Sequence, residues 1–231
     1  MTHSHPNMAQ IPSSSSPYGE DCRACWTVPE DYRLVGIDAS GLELRMLAHY
    51  LNDEGYTNEI LNGDIHTANQ NLAGLESRDQ AKTFIYALLY GAGDAKLGSV
   101  VGRGRAHGKG LRQRFFDGLP SFKNLTDRVQ REAKSGFLKA LDGRRLTVRS
   151  EHAALNTLLQ GAGAIVMKKA LVILNDKIIK HGWDAKFVAN VHDEWQIECH
   201  LDDAVDVGNA GVHAIKEAGC MLNLNCPLDG D

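Results

Sequence analysis

The sequence predicts an α+β fold, and three observations carry the prediction. Residues 32–37 form a short apolar run with strand character. Residues 187–191 and 195–199 form two more, separated only by His192-Asp193-Glu194 and so arranged as a tight hairpin. Most of the chain between these strands has helical spacing. At 231 residues the chain can bury a real core, as one large domain or two subdomains.

The elements follow in order. Residues 1–31 are rich in Ser, Pro, Asn and Gly without a stable period, and read as an extended or looped entry segment. The strand at 32–37 ends in Asp38-Ala39-Ser40-Gly41-Leu42-Glu43. From Gly41 the apolar residues Leu42, Leu44, Met46, Leu47, Tyr50 and Leu51 take helical spacing, so the chain turns from strand to helix just after Asp38. Asn62-Gly63-Asp64 is a turn with a helix cap, which places His66 in a first turn. Residues 77–89 form a helix capped by Ser77, with Phe84, Ile85, Leu88 and Leu89 on its apolar face, stopped by Tyr90-Gly91-Ala92-Gly93-Asp94. Shorter helical segments occupy 105–116 and 121–135. Residues 144–148 read as a hairpin strand after the Asp142-Gly143 turn. Residues 151–180 form one long helix, or two broken near Gly161-Ala162-Gly163. A last helix covers 203–219, and the tail reads as loop. No internal repeat and no interdomain linker is visible.

Composition narrows the function classes. A hydrophobic content of 43% with only six prolines excludes general disorder. The longest apolar stretches are interrupted by Asn, Lys, Gln or Gly well before 18 residues, so no membrane span is expected. The N-terminus carries no basic-then-apolar signal segment. Five cysteines, an odd number, suit a reducing compartment better than a disulfide framework. The net charge of -4 hides an asymmetry: residues 95–149 hold 14 Lys and Arg against four acids, the other 176 residues 11 against 25. This basic middle is either a polyanion-binding surface or an ordinary solvated helical face.

Asp38 ends a strand and Asp193 sits in a hairpin turn. If the two strands are neighbours, both carboxylates project from one sheet edge and can share two divalent ions. Magnesium takes oxygen ligands and is often held by one or two carboxylates plus substrate phosphates. The Ala39 carbonyl can supply a further oxygen, with Glu194 assisting. The competing reading is ordinary turn chemistry, since hairpin turns favour Asp.

Arg78, Lys82, Tyr86 and Tyr90 recur at a spacing of four and line one side of a helix. The two cations can take a nucleotide triphosphate, the tyrosine rings then lying near sugar and base. Arg suits bidentate phosphate contact; Lys suits a point charge and proton donation to leaving pyrophosphate. His66 can reach the same phosphates. A helix with a solvated basic edge and two core tyrosines is the alternative.

Other signals carry less. Cys22-x-x-Cys25 lacks a second pair with compact zinc spacing. The run Gly102–Gly110 lacks the four-residue gap and the following Ser or Thr of a phosphate loop, and reads as a flexible basic contact to nucleic-acid backbone or a plain surface loop. Gly161-Ala162-Gly163 reads as close helix packing.

Taken together, these pieces resemble family A DNA polymerases, most closely the phage replicative branch. The family shows Asp-x-Ser-x-x-Glu after a palm strand, matched by Asp38, Ser40 and Glu43. Its fingers helix carries Arg-x-x-x-Lys, a later aromatic and then Tyr-Gly, matched by Arg78, Lys82, Tyr86, Tyr90 and Gly91. Its His-Asp-Glu hairpin is matched by His192, Asp193 and Glu194. Lesser marks are Pro6-Asn7-Met8-Ala9-Gln10-Ile11-Pro12, Asp64-Ile65-His66-Thr67, Asp142-Gly143-Arg144 and Asn156-Thr157-Leu158-Leu159-Gln160.

The resemblance implies a right-hand palm with an antiparallel sheet and helical fingers, with thumb and exonuclease domain absent. Palm would cover 1–64 and 136–231, fingers 65–135. It implies two-metal nucleotidyl transfer from a dNTP to a primer 3'-hydroxyl, with two Mg2+ held by Asp38, Ala39 and Asp193. Arg78, Lys82 and His66 would bind the triphosphate, Lys82 as proton donor; Glu43 would disfavour a ribose 2'-hydroxyl. Tyr86 would govern discrimination at the sugar 3'-hydroxyl, and Tyr90 would stack near the templating position. His192 would lie by the primer terminus, with Gln160, Arg149, Asn156 and Arg144 toward DNA. The implied partners are primer–template DNA, dNTP and a separate upstream polymerase half carrying the thumb. The implied location is cytoplasmic, the host cytoplasm for a phage gene. Two other functions stay open at this point: a catalytically silent DNA-binding or assembly subunit, and a single-subunit RNA polymerase.

Overall fold

A computed structural model describes residues 11–231. In chain order its elements are α1 (Gly19–Ala24), β1 (Tyr32–Asp38), α2 (Leu42–Leu51), α3 (Glu54–Asn62), α4 (Ile65–Ala73), α5 (Arg78–Leu89), α6 (Asp94–Ser99), α7 (Arg105–Gly118), α8 (Pro120–Ala133), β2 (Phe137–Lys139), β3 (Arg145–Thr147), α9 (Ala154–His181), β4 (Ala185–Val191), β5 (Glu194–His200) and α10 (Ala204–Met221). The Pro6–Pro12 element lies outside the described residues but for Ile11 and Pro12. The chain divides into two units. One comprises the described residues up to Ser40, Val166–Met221 and Leu228–Asp231; the other comprises Gly41–Ile165 and Leu222–Pro227.

The first unit is built on a three-stranded antiparallel sheet in the order β1-β5-β4. Its central strand, β5, shows why it forms. Trp195, Ile197 and Cys199 are buried on one face, while Glu194, Gln196 and Glu198 alternate with them. That is the period of two expected of a strand with one face in the core. Helix α10 lays its apolar face, including Val207, Ala210, Ala214 and Ile215, on β1 and β5. The approach is close at Gly211, where a Cβ would come within 2.3 Å of the buried Ile37 side chain.

Two expectations about this unit change. The turn of the β4–β5 hairpin is His192-Asp193 alone; Glu194 belongs to β5, where it pairs with both Val191 and Asp38. The tail is not loop throughout. Gly230 bridges Ala39, and Asp38 and Asp231 exchange both backbone hydrogen bonds at 3.0 Å. A partner 191 or more residues away gives no local signal, so sequence pattern alone could not show it.

The second unit is mainly helical. Phe84, Phe115 and Phe122 from α5, α7 and α8 form its aromatic centre, with ring centroids 5.7 and 5.3 Å apart. Helix α8 starts at Pro120, whose missing N–H costs nothing at a first helical position. It buries Phe122, Leu125, Val129 and Ala133 along one stripe. The run Gly102–Gly110 is mostly helix rather than loop. A Cβ at Gly108 would stand 1.9 Å from the Asp94 carbonyl oxygen, so this glycine serves contact between the backbones of α6 and α7. Helices α1, α3 and α6 escape the sequence reading because six to nine residues carry too few apolar repeats to show a period.

Helix α9 runs unbroken for 28 residues. Its glycines are packing positions, as expected: a Cβ at Gly161 would meet Leu146 at 2.7 Å, and one at Gly163 would meet Leu42 at 3.2 Å. The helical stretch Glu151–His181 is long and apolar enough to cross a membrane by length and composition alone. Half of its most apolar window is buried inside the fold, and a core helix passes the same test.

Candidate active site

The carboxylates gather at one end of the first unit's sheet. Asp38 is the last residue of β1 and stands opposite Glu194. The Ala39 N–H donates to the Asp193 carbonyl at 3.0 Å, which brings the hairpin turn beside the end of β1. On the other edge of β1, Ser40 Oγ donates to Asp231 Oδ2 at 3.3 Å. Cross-strand partners share a face of the sheet. Glu194, Asp38 and Asp231 therefore form a row of like charges across three neighbouring segments. The Asp38 carboxyl is pushed up to about 6, by burial first and then by Asp193, Glu194 and Asp231. Gln196 Nε2 donates to Glu194 Oε1 and steadies that member. His192, in the turn, takes a left-handed φ of 57°, uncommon for a residue with a Cβ.

This donor set fits a hard divalent cation. It offers carboxylate oxygens and a nearby backbone carbonyl, with no thiolate or imidazole required. Crowding that raises the Asp38 pKa is what a bound cation relieves. Among the described residues no three His, Cys, Asp or Glu side chains form a ready cage. A magnesium site of two carboxylates completes its shell with water and phosphate oxygens.

The second unit holds the basic helix. Ser77 caps α5 by accepting from the Gln80 N–H, so Arg78 opens the helix. Arg78 Nε and Nη2 reach Asp64 Oδ2 and Oδ1 at 2.6 and 3.1 Å, a two-point clamp. This holds the Asp64 carboxyl far below the usual carboxylate range. Asp64 also caps α4, accepting from the His66 N–H at 3.1 Å and from Thr67 Oγ1 at 2.9 Å. The His66 pKa is lowered, by burial first and then by Arg78 and Lys82, which places all three groups in one neighbourhood. Its Nδ1 is buried without a hydrogen-bond partner among the described residues. The Tyr86 ring lies 6.4 Å from the His66 ring, tilted. Lys82 is exposed one turn beyond Arg78. Tyr90 ends the row and donates its hydroxyl to Glu43 Oε2 at 3.2 Å.

The residues assigned toward DNA are less of a group. Gln160 and Arg149 are exposed, and Asn156 is half-buried with Oδ1 lacking a partner among the described residues. Arg144 is clamped by Asp142 across the β2–β3 turn. A groove of about 860 Å3 lined by Tyr50, Arg128, Arg131 and Lys134, among others, contains none of the assigned residues. Sequence reasoning missed Asp231, and it read Asp64 as a cap and as part of the Asp64-Ile65-His66-Thr67 mark without seeing its pairing with Arg78.

Comparison with known proteins decides the family. The model of DNA polymerase family A matches residues 1–231. The chain belongs to DNA polymerase family A. Two family A relatives are the DNA-directed DNA polymerases of Enterobacteria phage T3 and Escherichia phage T7. Each is 44% identical over a 261-residue alignment that covers 99% of this chain and 37% of the relative. The DNA polymerase I of Aquifex aeolicus is 32% identical, over 99% of this chain and 42% of its own length. The chain thus spans about two fifths of these relatives or less. The polymerase domain of Pol1 from M. smegmatis, solved with DNA primer-template and dNTP, superposes with a TM-score of 0.87. That match covers 99% of this chain and 44% of the other at 24% identity, and shows that the fold is the family A polymerase fold.

Proposed function

We propose that this chain carries the palm and fingers of a DNA-templated DNA polymerase, adding a nucleotide from a dNTP to a primer 3'-hydroxyl with release of pyrophosphate. The observation that carries the reading is the set of Asp38, Glu194 and Asp193 at one sheet end, in a chain of family A. In this reading Asp38 and Asp193, with the Ala39 carbonyl, hold two Mg2+. Bound there, the ions would activate the attacking oxygen and stabilise the leaving one.

The remaining roles belong to the chain's own side chains. Arg78 and His66 hold the triphosphate, and Lys82 Nζ gives a proton to the departing pyrophosphate oxygen. Glu43, held by Tyr90, crowds the sugar where a 2'-hydroxyl would stand, and Tyr86 faces the 3' side. His192 serves the primer terminus; Gln160, Arg149, Asn156 and Arg144 serve the duplex, contacting backbone so that the template alone supplies sequence. Palm is assigned to 1–64 and 136–231, fingers to 65–135. The partners are primer–template DNA and dNTP.

Primer extension with Mg2+ and dNTP, run with and without an added thumb-bearing polypeptide, is the test. Asp38→Ala and Asp193→Ala should each abolish extension while circular dichroism stays unchanged. Near-normal extension by either variant would defeat the assignment.

A further inference from the structure

The reading of Arg78 and His66 as triphosphate ligands leaves a question of placement. The two residues are 12 positions apart, on different helices, and both side chains need fixed directions to serve one anion. The structure supplies a single group that meets both, holding the Arg78 side chain and the backbone N–H of His66. One oxygen of the Asp64 carboxylate, Oδ1, accepts from the His66 N–H at 3.1 Å and from Arg78 Nη2 at 3.1 Å. The other, Oδ2, accepts from Arg78 Nε at 2.6 Å and from Thr67 Oγ1 at 2.9 Å. The first turns of α4 and α5 are tied together at this point.

We propose that Asp64 is a positioning residue of the nucleotide site, one that aligns Arg78 and the His66 turn into a preformed cradle for a triphosphate. The proposal rests on the reading of Arg78, His66 and Lys82 given above. Stability is a poor explanation for the clamp. Its side chains are 52% and 41% exposed, and exposed ion pairs contribute little to folding. Orientation is the better one. A guanidinium carries five N–H donors in a rigid plane. The clamp engages the Nε edge, which leaves the Nη1 edge to a phosphate at reduced entropic cost. Asp64 acts on His66 through its backbone turn; the ring Nδ1 is buried without a hydrogen-bond partner among the described residues.

The test separates this role from helix capping. Asn caps helices about as well as Asp, so Asp64→Asn keeps the cap and removes the charge that holds the guanidinium. Asp64→Ser is a second variant that keeps a capping oxygen. Binding of inorganic tripolyphosphate is measured by calorimetry, steady-state constants by primer extension, and melting temperature alongside. Asp64→Asn and Asp64→Ser should melt within a few degrees of the parent and bind tripolyphosphate about fivefold more weakly. KM for dNTP should rise by a similar factor with kcat nearly unchanged. In an Arg78→Ala background, Asp64→Asn should add no further loss. Unchanged or tighter binding by both Asp64 variants, with Arg78→Ala still weak, overturns the role of Asp64. Unchanged binding by Arg78→Ala and Lys82→Ala overturns the cradle itself.

Discussion

Asp38 and Glu194 are register partners across β1 and β5, two carboxylates directly opposite one another on an antiparallel pair. Like charges in that position destabilise a sheet. With Asp231 on the other edge of β1, the conflict is doubled. Protonation of Asp38 or a bound divalent cation would relieve such a conflict.

The first prediction follows from that strain. The folded-state pKa of Asp38 is raised from 3.8 to about 6. Its contribution to stability is therefore complete below the unfolded value and is lost as pH rises through about 6. In chelator, Asp38→Asn should escape that loss and be more stable than the parent at pH 8, by about 1 kcal/mol. This is well below the full shift because the residue is solvent-exposed. At pH 4 the two should be nearly equal. Urea denaturation at both pH values checks it, and a variant less stable than the parent at pH 8 would be the wrong sign.

A second prediction concerns Lys82. Loss of a positioned general acid typically costs two to four orders of magnitude. Lys82→Ala should lower kcat about 100-fold, whereas Arg78→Ala should act mainly on KM. Steady-state primer extension with varied dNTP separates the two, and an effect of Lys82→Ala confined to KM would remove its assignment as proton donor.

Tyr90→Phe provides a third. It deletes only the hydroxyl that donates to Glu43. On a half-exposed side chain the stability change should stay under about 1 kcal/mol. The Glu43 carboxylate, no longer fixed, should discriminate less well against ribonucleotides, by several-fold. Competition between rNTP and dNTP measures this; unchanged discrimination in Tyr90→Phe alongside a loss in Glu43→Ala would show that Glu43 needs no such support.

Gly108→Ala tests packing. The added methyl would meet the Asp94 carbonyl oxygen and the Gly98 nitrogen, backbone atoms that cannot rotate away. Overpacking of this kind costs about 1–3 kcal/mol, and the upper half of that range is expected. Thermal denaturation reads it directly. Gly104→Ala, with open space around its Cβ position, is the matched control.

The parts of the fold visible in the sequence were those with a local code. Period-two burial in β5, the Ser77 cap and the apolar face of α5 each sit within a dozen residues. The motifs carrying Asp38, Arg78 and Asp193 were read for a different reason: they set particular charged and aromatic residues at fixed spacing. What stayed hidden was set by distant partners or by backbone contact. Gly108 looks like part of a flexible run until α6 is seen against it. Glu194 looks like a turn residue because only its pairing with Asp38 reveals it as strand. Asp231 had no neighbouring pattern at all.

The pairing of residues 38–40 with 229–231 also bears on how the molecule comes into being on the ribosome. β1 is translated well before β5 and Gly230, its two neighbours, the Ser40–Asp231 contact spanning 191 residues. The nascent chain must keep an unpaired strand soluble until β5 has been made. The acidic row is consequently completed last, so an elongating polypeptide stalled before residue 229 would lack one of its three acids.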